Sequence, residues 1–383
     1  MKIQFCSVFL TFVFSALALA QESDDTKIQQ PESANIDLVT ATKHRDYLTE
    51  FVLGDDWEQL TWPPAWSADN KHFVVGDAEG KVLKVRLSDF RAVTKLDLGT
   101  PCTSICTVKN GYAVASQQNN QVLLLNDDLS ISKKFEIKEP LVVVGNRFNS
   151  EFFAGSGRFS HSPLNLLTHI DAKKEVLWQQ SLPPKRSNAA GTDNHIDLTT
   201  GHESDEEKAT WRRLTKHVHR FLPTRMLMSS DGKTLAAFSN GYLCLFAVNS
   251  DGLSLISADP SVGSARAKDI IGLGDQNKCG VLGLRHQLFT LPLTNPTEIQ
   301  PTLKFQFRQP AYVAYNSNRR KFFVGNSYKM CLAGLDGKSA KPDLSRPAIF
   351  PSSSPTRINA SWSTNGDVIL MSERKKLVAL KLD

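Results

Sequence analysis

His195, His202, His217 and His219 share one stretch of the chain with Asp193, Asp197, Glu203 and Asp205. Imidazole beside carboxylate is a ligand set for zinc or calcium. The spacing works against a single site: Trp211, Leu214, Val218 and Phe221 recur at helical intervals. On such a helix His217 and His219 diverge by about 200° and cannot share an ion. The competing expectation is an amphipathic helix that lays its Trp/Leu/Val/Phe stripe on the body of the protein. No metal and no other cofactor is therefore assigned. Should calcium or zinc bind, the candidates are Asp193, His195, His202, His217 and His219.

The same segment carries Arg212, Arg213, Lys216 and Arg220 beside Trp211. A basic amphipathic helix over 205–222 suits an acidic protein partner or an anionic membrane surface. The preceding acidic run, Glu203 to Glu207, offers internal neutralisation and also suits the positive end of a helix.

Elsewhere, chemistry is harder to assemble. Asp69, Asn146, Asp275, Asn316 and Asn359 are the side chains a cation site at a channel mouth would draw on, but Asp69 and Asp275 fall in turns, where Asp is a turn former. There is no G-x-S-x-G elbow, HExxH or phosphate-binding glycine loop, so no catalytic residue is assigned. Beyond residue 20 the chain holds five cysteines: Cys102, Cys106, Cys244, Cys279 and Cys331. An odd number leaves one unpaired within the chain. In one extended strand Cys102 and Cys106 would sit about 13 Å apart, beyond disulfide reach. The other pairings stay open.

What positions these residues is a repeat. An apolar run, a Ser/Asn/Asp/Gly turn and two short apolar strands return at 66–89, 108–128, 145–171, 228–251, 273–295, 315–337 and 362–383. Second strands open at Phe73, Ala113, Phe152, Leu235, Gly280, Phe322 and Val368, in steps of 40, 39, 83, 45, 42 and 46 residues. A step near forty holding four short strands predicts a propeller blade. The doubled step is read as an insertion over 185–222, with a decayed eighth blade as the alternative. The fold class expected is all-β: a seven-bladed propeller of four-stranded antiparallel blades, with one helical insertion between blades 3 and 4. Near-continuous apolar middle strands such as YLCLFAV (242–248) fit burial on both faces between neighbouring blades.

SSDGKTLAAFSNGYLCLFAV (229–248) and WSADNKHFVVGDAEGKVLKV (66–85) resemble the repeats of WD40 and YVTN/lactonase-type propellers, in which a Ser-x-Asp-Gly-Lys turn precedes the second strand. The resemblance spans most of 57–383 and is generic, since the Gly-His and Trp-Asp dipeptides of WD40 repeats are missing. It implies an architecture whose members are mostly interaction platforms, with enzymes a minority.

At the N-terminus, Lys2, the apolar stretch Phe5 to Leu19 and Ala18-Leu19-Ala20 read as a secretory signal over 1–20, cleaved after Ala20. The expected location is secreted or periplasmic. Residues 21–46 read as a polar, disordered leader and 47–383 as one propeller domain. The chain ends on KKLVALKLD, a third strand without a fourth, so YLTEFVL (47–53) is expected to close the ring. The net charge of +6 is scattered over turns rather than gathered in a stripe, which argues against nucleic acid. The function expected is an extracytoplasmic binding or scaffold protein with a protein partner. A metal-assisted, lactonase-like hydrolase with its site at the channel mouth is the alternative. The sequence leaves partner, substrate, oligomeric state and functional face open.

Overall fold

The computed structural model describes residues 31–382 except 38, 46–47, 54–60, 62, 146–149, 158–165, 174, 182–224, 230, 240–241, 260–266, 273–277, 284–286, 293–299, 305–311, 326–329, 335–357 and 374–375. The described strands run in chain order. The N-terminal segment supplies β1 (Glu32–Asp37), β2 (Val39–Arg45) and β3 (Leu48–Leu53). Blade 1 holds β4 (Ala65–Trp66), β5 (His72–Gly76), β6 (Lys81–Arg86) and β7 (Arg91–Asp97). Blade 2 holds β8 (Ser104–Val108), β9 (Gly111–Ser116), β10 (Gln121–Asn126) and β11 (Ile131–Glu136). Then come β12 (Pro140–Gly145), β13 (Glu151–Ser156), β14 (Leu166–Asp171) and β15 (Val176–Ser181). The next sheet is β16 (Arg225–Met228), β17 (Thr234–Ser239), β18 (Tyr242–Val248) and β19 (Leu253–Asp259). It is followed by β20 (Ala267–Gly272), β21 (Lys278–Gly283), β22 (Gln287–Pro292) and β23 (Gln300–Lys304). Last are β24 (Tyr312–Asn316), β25 (Lys321–Gly325) and β26 (Met330–Gly334), then β27 (Ile358–Trp362), β28 (Val368–Glu373) and β29 (Lys376–Leu382).

The expectation of seven uniform four-stranded blades with a helical insertion is corrected by this topology. Only four of the antiparallel sheets have four strands; two have five and one has three. No helix occurs among the described residues, and the 185–222 segment expected to carry one lies wholly outside them. The five-stranded sheets arise because the N-terminal segment reaches two neighbouring sheets: β1 pairs antiparallel with β7, and β2 pairs with β3. Residues 32–45 are thus strands where a disordered leader was expected. Their polar sequence, ESANID and VTATKHR, misled because an added outer strand needs main-chain hydrogen bonds more than an apolar face. In the three-stranded sheet, β24-β25-β26, the difference lies at 335–357, where no outer strand is described.

Innermost strands touch in chain order, β4 to β8, β8 to β12, and onward through β16, β20 and β24 to β27. Trp66 Nε1 then donates to Ser361 Oγ at 2.9 Å, joining β4 to β27. The chain ends meet on the rim, where β29 pairs with β3 from Leu377–Leu53 to Leu382–Leu48. That strand lies within the segment expected to do so.

Alternation along the middle strands explains the packing. In β5, Phe73 and Val75 enter the core shared with Val368, Leu370, Leu377 and Ala379 of the last sheet. Val74, between them, enters the opposite core with Tyr112, Val114, Leu123 and Leu125. Successive side chains of a strand point to opposite faces, and both faces are covered by neighbouring blades. Five such interblade cores are described.

Three of the first turns are stapled in a similar way. Ser67, Ser229 and Ser363 each accept, through Oγ, the main-chain N–H five residues on, from His72, Thr234 and Val368, all at 2.9 Å. Asp69, Asp231 and Asn365 take the N–H two residues ahead of them, and Asn70, Gly232 and Gly366 supply the positive φ that closes the turn. This is the Ser-x-Asp-Gly phrase in physical form: a hydroxyl and a short amide or carboxylate satisfying main-chain donors. Replacing Ser229, which is buried, with Ala leaves the Thr234 N–H without its acceptor. The expected loss is about 1–2 kcal/mol by urea titration, and Ser229→Thr is expected to recover part of it.

Candidate binding surfaces

The ring presents two faces and an outer rim, and polar side chains are tied down on each. On the face that carries the stapled turns, Lys84 of β6 reaches across to blade 2. Its ammonium, 7 % exposed, lies 2.6 Å from Asp127 Oδ2 and donates to the Asp127 carbonyl at 2.7 Å. Tyr112, buried in β9, donates to the other oxygen of Asp127 at 3.2 Å. Burial and that carboxylate push the Tyr112 phenol up, so it stays a donor. His72 lies nearby, its imidazole held neutral by burial, and Lys84 works in the same direction. On the same face, buried Asn316 donates to the Ser363 carbonyl at 2.6 Å and accepts from Arg319 N–H at 2.7 Å. Arg319 in turn lies 3.3 Å from Asp367.

The opposite face is built from second turns and interblade connections. Asp77 is buried, and its Oδ1 accepts the N–H groups of Glu79 at 3.0 Å and Lys81 at 2.8 Å. Burial raises the pKa of its carboxyl despite these bonds. Thr100 and Ser116 hydroxyls meet at 2.7 Å, and Gln117 Nε2 donates to the Gly157 carbonyl at 2.9 Å. The Asn120 amide oxygen accepts from Glu139 N–H at 2.8 Å, where Glu139 holds a φ of 51°. β15 ends on this face at Ser181, and the next described strand, β16, begins at Arg225.

These residues were not read as a site from sequence, with the exceptions of Asp69 and Asn316. Asp77 carried the only local signal, an Asp-x-x-Gly turn; Lys84 and Asp127 are 43 positions apart with nothing to link them. Of the candidates for a channel-mouth cation site, Asp69 is committed to its turn and Asn316 to the neighbouring blade. Asn359 sits half-buried on β27, while Asn146 and Asp275 lie outside the described residues. Among the described residues no group of three or more His, Cys, Asp or Glu converges to hold a metal ion. Asp193, His195, His202, His217 and His219 all lie outside the described residues. So do Trp211, Arg212, Arg213, Lys216 and Arg220.

Cys102, Cys106 and Cys244 are free. Burial pushes the Cys102 and Cys106 thiols up to about 12, and the Cys244 thiol higher still. Thiols held this far from the thiolate are inert small hydrophobes. In the native protein a disulfide reagent at pH 8 is expected to leave all three unlabelled by peptide mapping, and to label them in urea.

On the rim, five outer strands share a β-bulge at the equivalent place. One residue has no partner on the third strand: Val93 in β7, Ser132 in β11, Leu177 in β15, Ile256 in β19 and Thr302 in β23. Leu177 and Ile256, each 41 % exposed, are the large apolar side chains left open among the described residues. Gln180 ties their two strands together, donating to the Leu253 carbonyl at 3.2 Å and accepting from Leu253 N–H at 2.7 Å.

No protein-family model matches the sequence, and no curated protein matches it. Among solved structures the chain is similar to the β-propeller domain of Myceliophteria thermophila Cps50 (Swd1), with a TM-score of 0.61 at 12 % identity. The likeness covers 90 % of this chain and 100 % of that one. At that identity it speaks for architecture alone, and with the ring of antiparallel sheets it shows a β-propeller.

Proposed function

We propose that the chain is an extracytoplasmic binding or scaffold protein that works without a catalytic centre or resident cofactor. The observation that carries this reading is how its polar side chains are used. Asp77, Asn316, Lys84 and the serines of the stapled turns satisfy main-chain groups or bridge blades, which gives rigidity rather than reactivity. A rigid ring with exposed loops is a platform, and propellers of WD40 type serve as such; that support is an analogy of fold. The signal-like 1–20 segment supports export, with the mature chain starting at Gln21. The 205–222 segment, with Trp211, Arg212, Arg213, Lys216 and Arg220, is the proposed partner contact on the loop, for an acidic protein surface or an anionic membrane.

Affinity isolation of the tagged chain from its own extracytoplasmic extract tests this. The expected result is a partner recovered in stoichiometric amount and lost on deletion of 187–220. Recovery of no partner, together with metal-dependent turnover of lactones, would overturn the reading in favour of a hydrolase.

A further inference from the structure

His169 of β14 sits inside an interblade core, where a titratable ring is out of place. It lies in register with Phe153 of β13 and Trp178 of β15, so three rings form a row across one face of the sheet. The imidazole is 4 % exposed. It stacks on Phe153, with centroids 4.4 Å apart and 10° between the planes, and Trp178 meets it edgewise at 5.1 Å. Phe153 belongs to the core shared with Leu235, Ala237, Cys244 and Phe246 of the β16–β19 sheet, and Trp178 packs against that core. The row therefore helps to hold two blades together.

The position suits a neutral ring and not a charged one. Nε2 lies 3.1 Å from Glu151 Oε2, which keeps the proton of the neutral imidazole on Nε2. Nδ1 is buried and has no hydrogen-bond partner among the described residues, and the same is true of Trp178 Nε1. Protonation would add an N–H at Nδ1 with nothing to accept it. Two carboxylates favour the charged ring, Glu151 of β13 and Asp171 of β14. The strands β12, β15, β17 and β18 carry no Lys, Arg, Asp or Glu, and the Cys244 thiol that β18 lends the core stays neutral. Arg225 opens β16 and Asp259 ends β19. Burial outweighs the carboxylates and holds His169 below its ordinary 6.5. Such a group stabilises the fold fully above its unfolded value and loses that contribution as pH falls through the folded one. Glu151 is half exposed, so water lies one side chain away, and an imidazolium that reaches it breaks the stack on Phe153.

We propose that His169 is an acid-sensitive latch between the β12–β15 and β16–β19 blades: its neutral ring closes the seam, and its imidazolium leaves the Phe153–Trp178 row and loosens it. β15 and β16 flank the 182–224 stretch in the chain, so loosening acts on both strands from which the proposed partner loop departs. The latch itself does not depend on the binding-protein reading.

Hydrogen exchange on the full chain at about pH 7.5 and about pH 5.5, corrected for intrinsic rates, reads the seam directly. Amides of β14 to β17 are expected to exchange about tenfold faster at the lower pH. Those of β25 and β28, which share a core of Tyr312, Phe323, Ile369 and Met371, should keep their protection. His169→Phe keeps a ring in the row and His169→Gln keeps a donor for Glu151. Each should remove the difference between the two pH values, whatever its overall stability. Glu151→Gln, which takes away a carboxylate that favours the imidazolium, should move the opening to lower pH. An equal pH step in the wild-type protein and both His169 variants would overturn the proposal by assigning the loosening to other groups, such as His72. Protection that rises on acidification would overturn it as well, because the imidazolium would then be held in a closed seam. If neither variant folds, the His169 ring proton titrated in the wild-type protein decides. Titration with the seam amides still protected would sink the latch, and titration together with their release would support it. The binding-protein reading is judged separately, by recovery of a partner from extract.

Discussion

Val378→Pro is expected to be among the most damaging single substitutions in the chain. β29 is an interior strand, flanked by β28 and by the N-terminal β3, with Val378 opposite Met371 on one side and Val52 on the other. The Val378 side chain is fully buried against Tyr312, Phe323 and Leu380. Proline removes a ladder N–H and imposes a ring where both neighbours are close, for a loss of about 3 kcal/mol or more. In a protein of this size that corresponds to a fall of about 4 °C or more in Tm, measurable by scanning calorimetry. Two deletions place the effect at the seam. Removing 31–53 takes away β3 and leaves β29 as an edge, so cooperative melting should be lost or displaced at least as far. Removing only 31–45 leaves β3 in place and should shift Tm less. Equal effects from the two deletions would mean that β1 and β2, rather than β3, hold the ring shut.

The second large effect is asymmetric. Asp127→Ala takes away both the carboxylate oxygen beside Lys84 and the acceptor of the Tyr112 hydroxyl. It leaves an ammonium 7 % exposed with one main-chain carbonyl for company. Breaking a fully buried pair costs about 3–5 kcal/mol. Asp127 is itself 69 % exposed and the carbonyl remains, so about 2–3 kcal/mol is expected here. Lys84→Met removes the charge and keeps the methylene stem between the blades, and should cost no more than about 1 kcal/mol. Urea titration of both variants checks the order. If Lys84→Met proved the more damaging, the pair would be a source of stability in its own right and not a buried charge in need of a partner.

How far such features could be read in advance depends on whether their cause is local. The stapled turns could, because Ser229, Asp231 and Gly232 make the turn within six residues. So could the closing strand at 48–53, whose alternation within YLTEFVL reads locally as a strand. The strands at 32–45 could not: their partners are sheet edges formed by residues 91–95 and 48–53, and nothing in ESANID announces an edge to pair with. The bulges escaped for a similar reason. Leu177 and Ile256 sit in VLWQQS and LSLISAD, runs that read as unbroken strand, and only the twist of a blade decides which residue loses its partner. The interblade lysine was equally silent, because its acceptor belongs to the next repeat.

Whether this ring binds another protein is open to crosslinking in the native compartment. A tagged full chain carrying a photoreactive residue, placed in turn around the rim and in the 187–220 loop, would be irradiated and its adducts mapped by mass spectrometry. A reproducible adduct to one other polypeptide is expected from a confined set of positions, competed away by excess untagged protein. Adducts to no polypeptide from any position, with turnover of a small molecule by the same preparation, would contradict it.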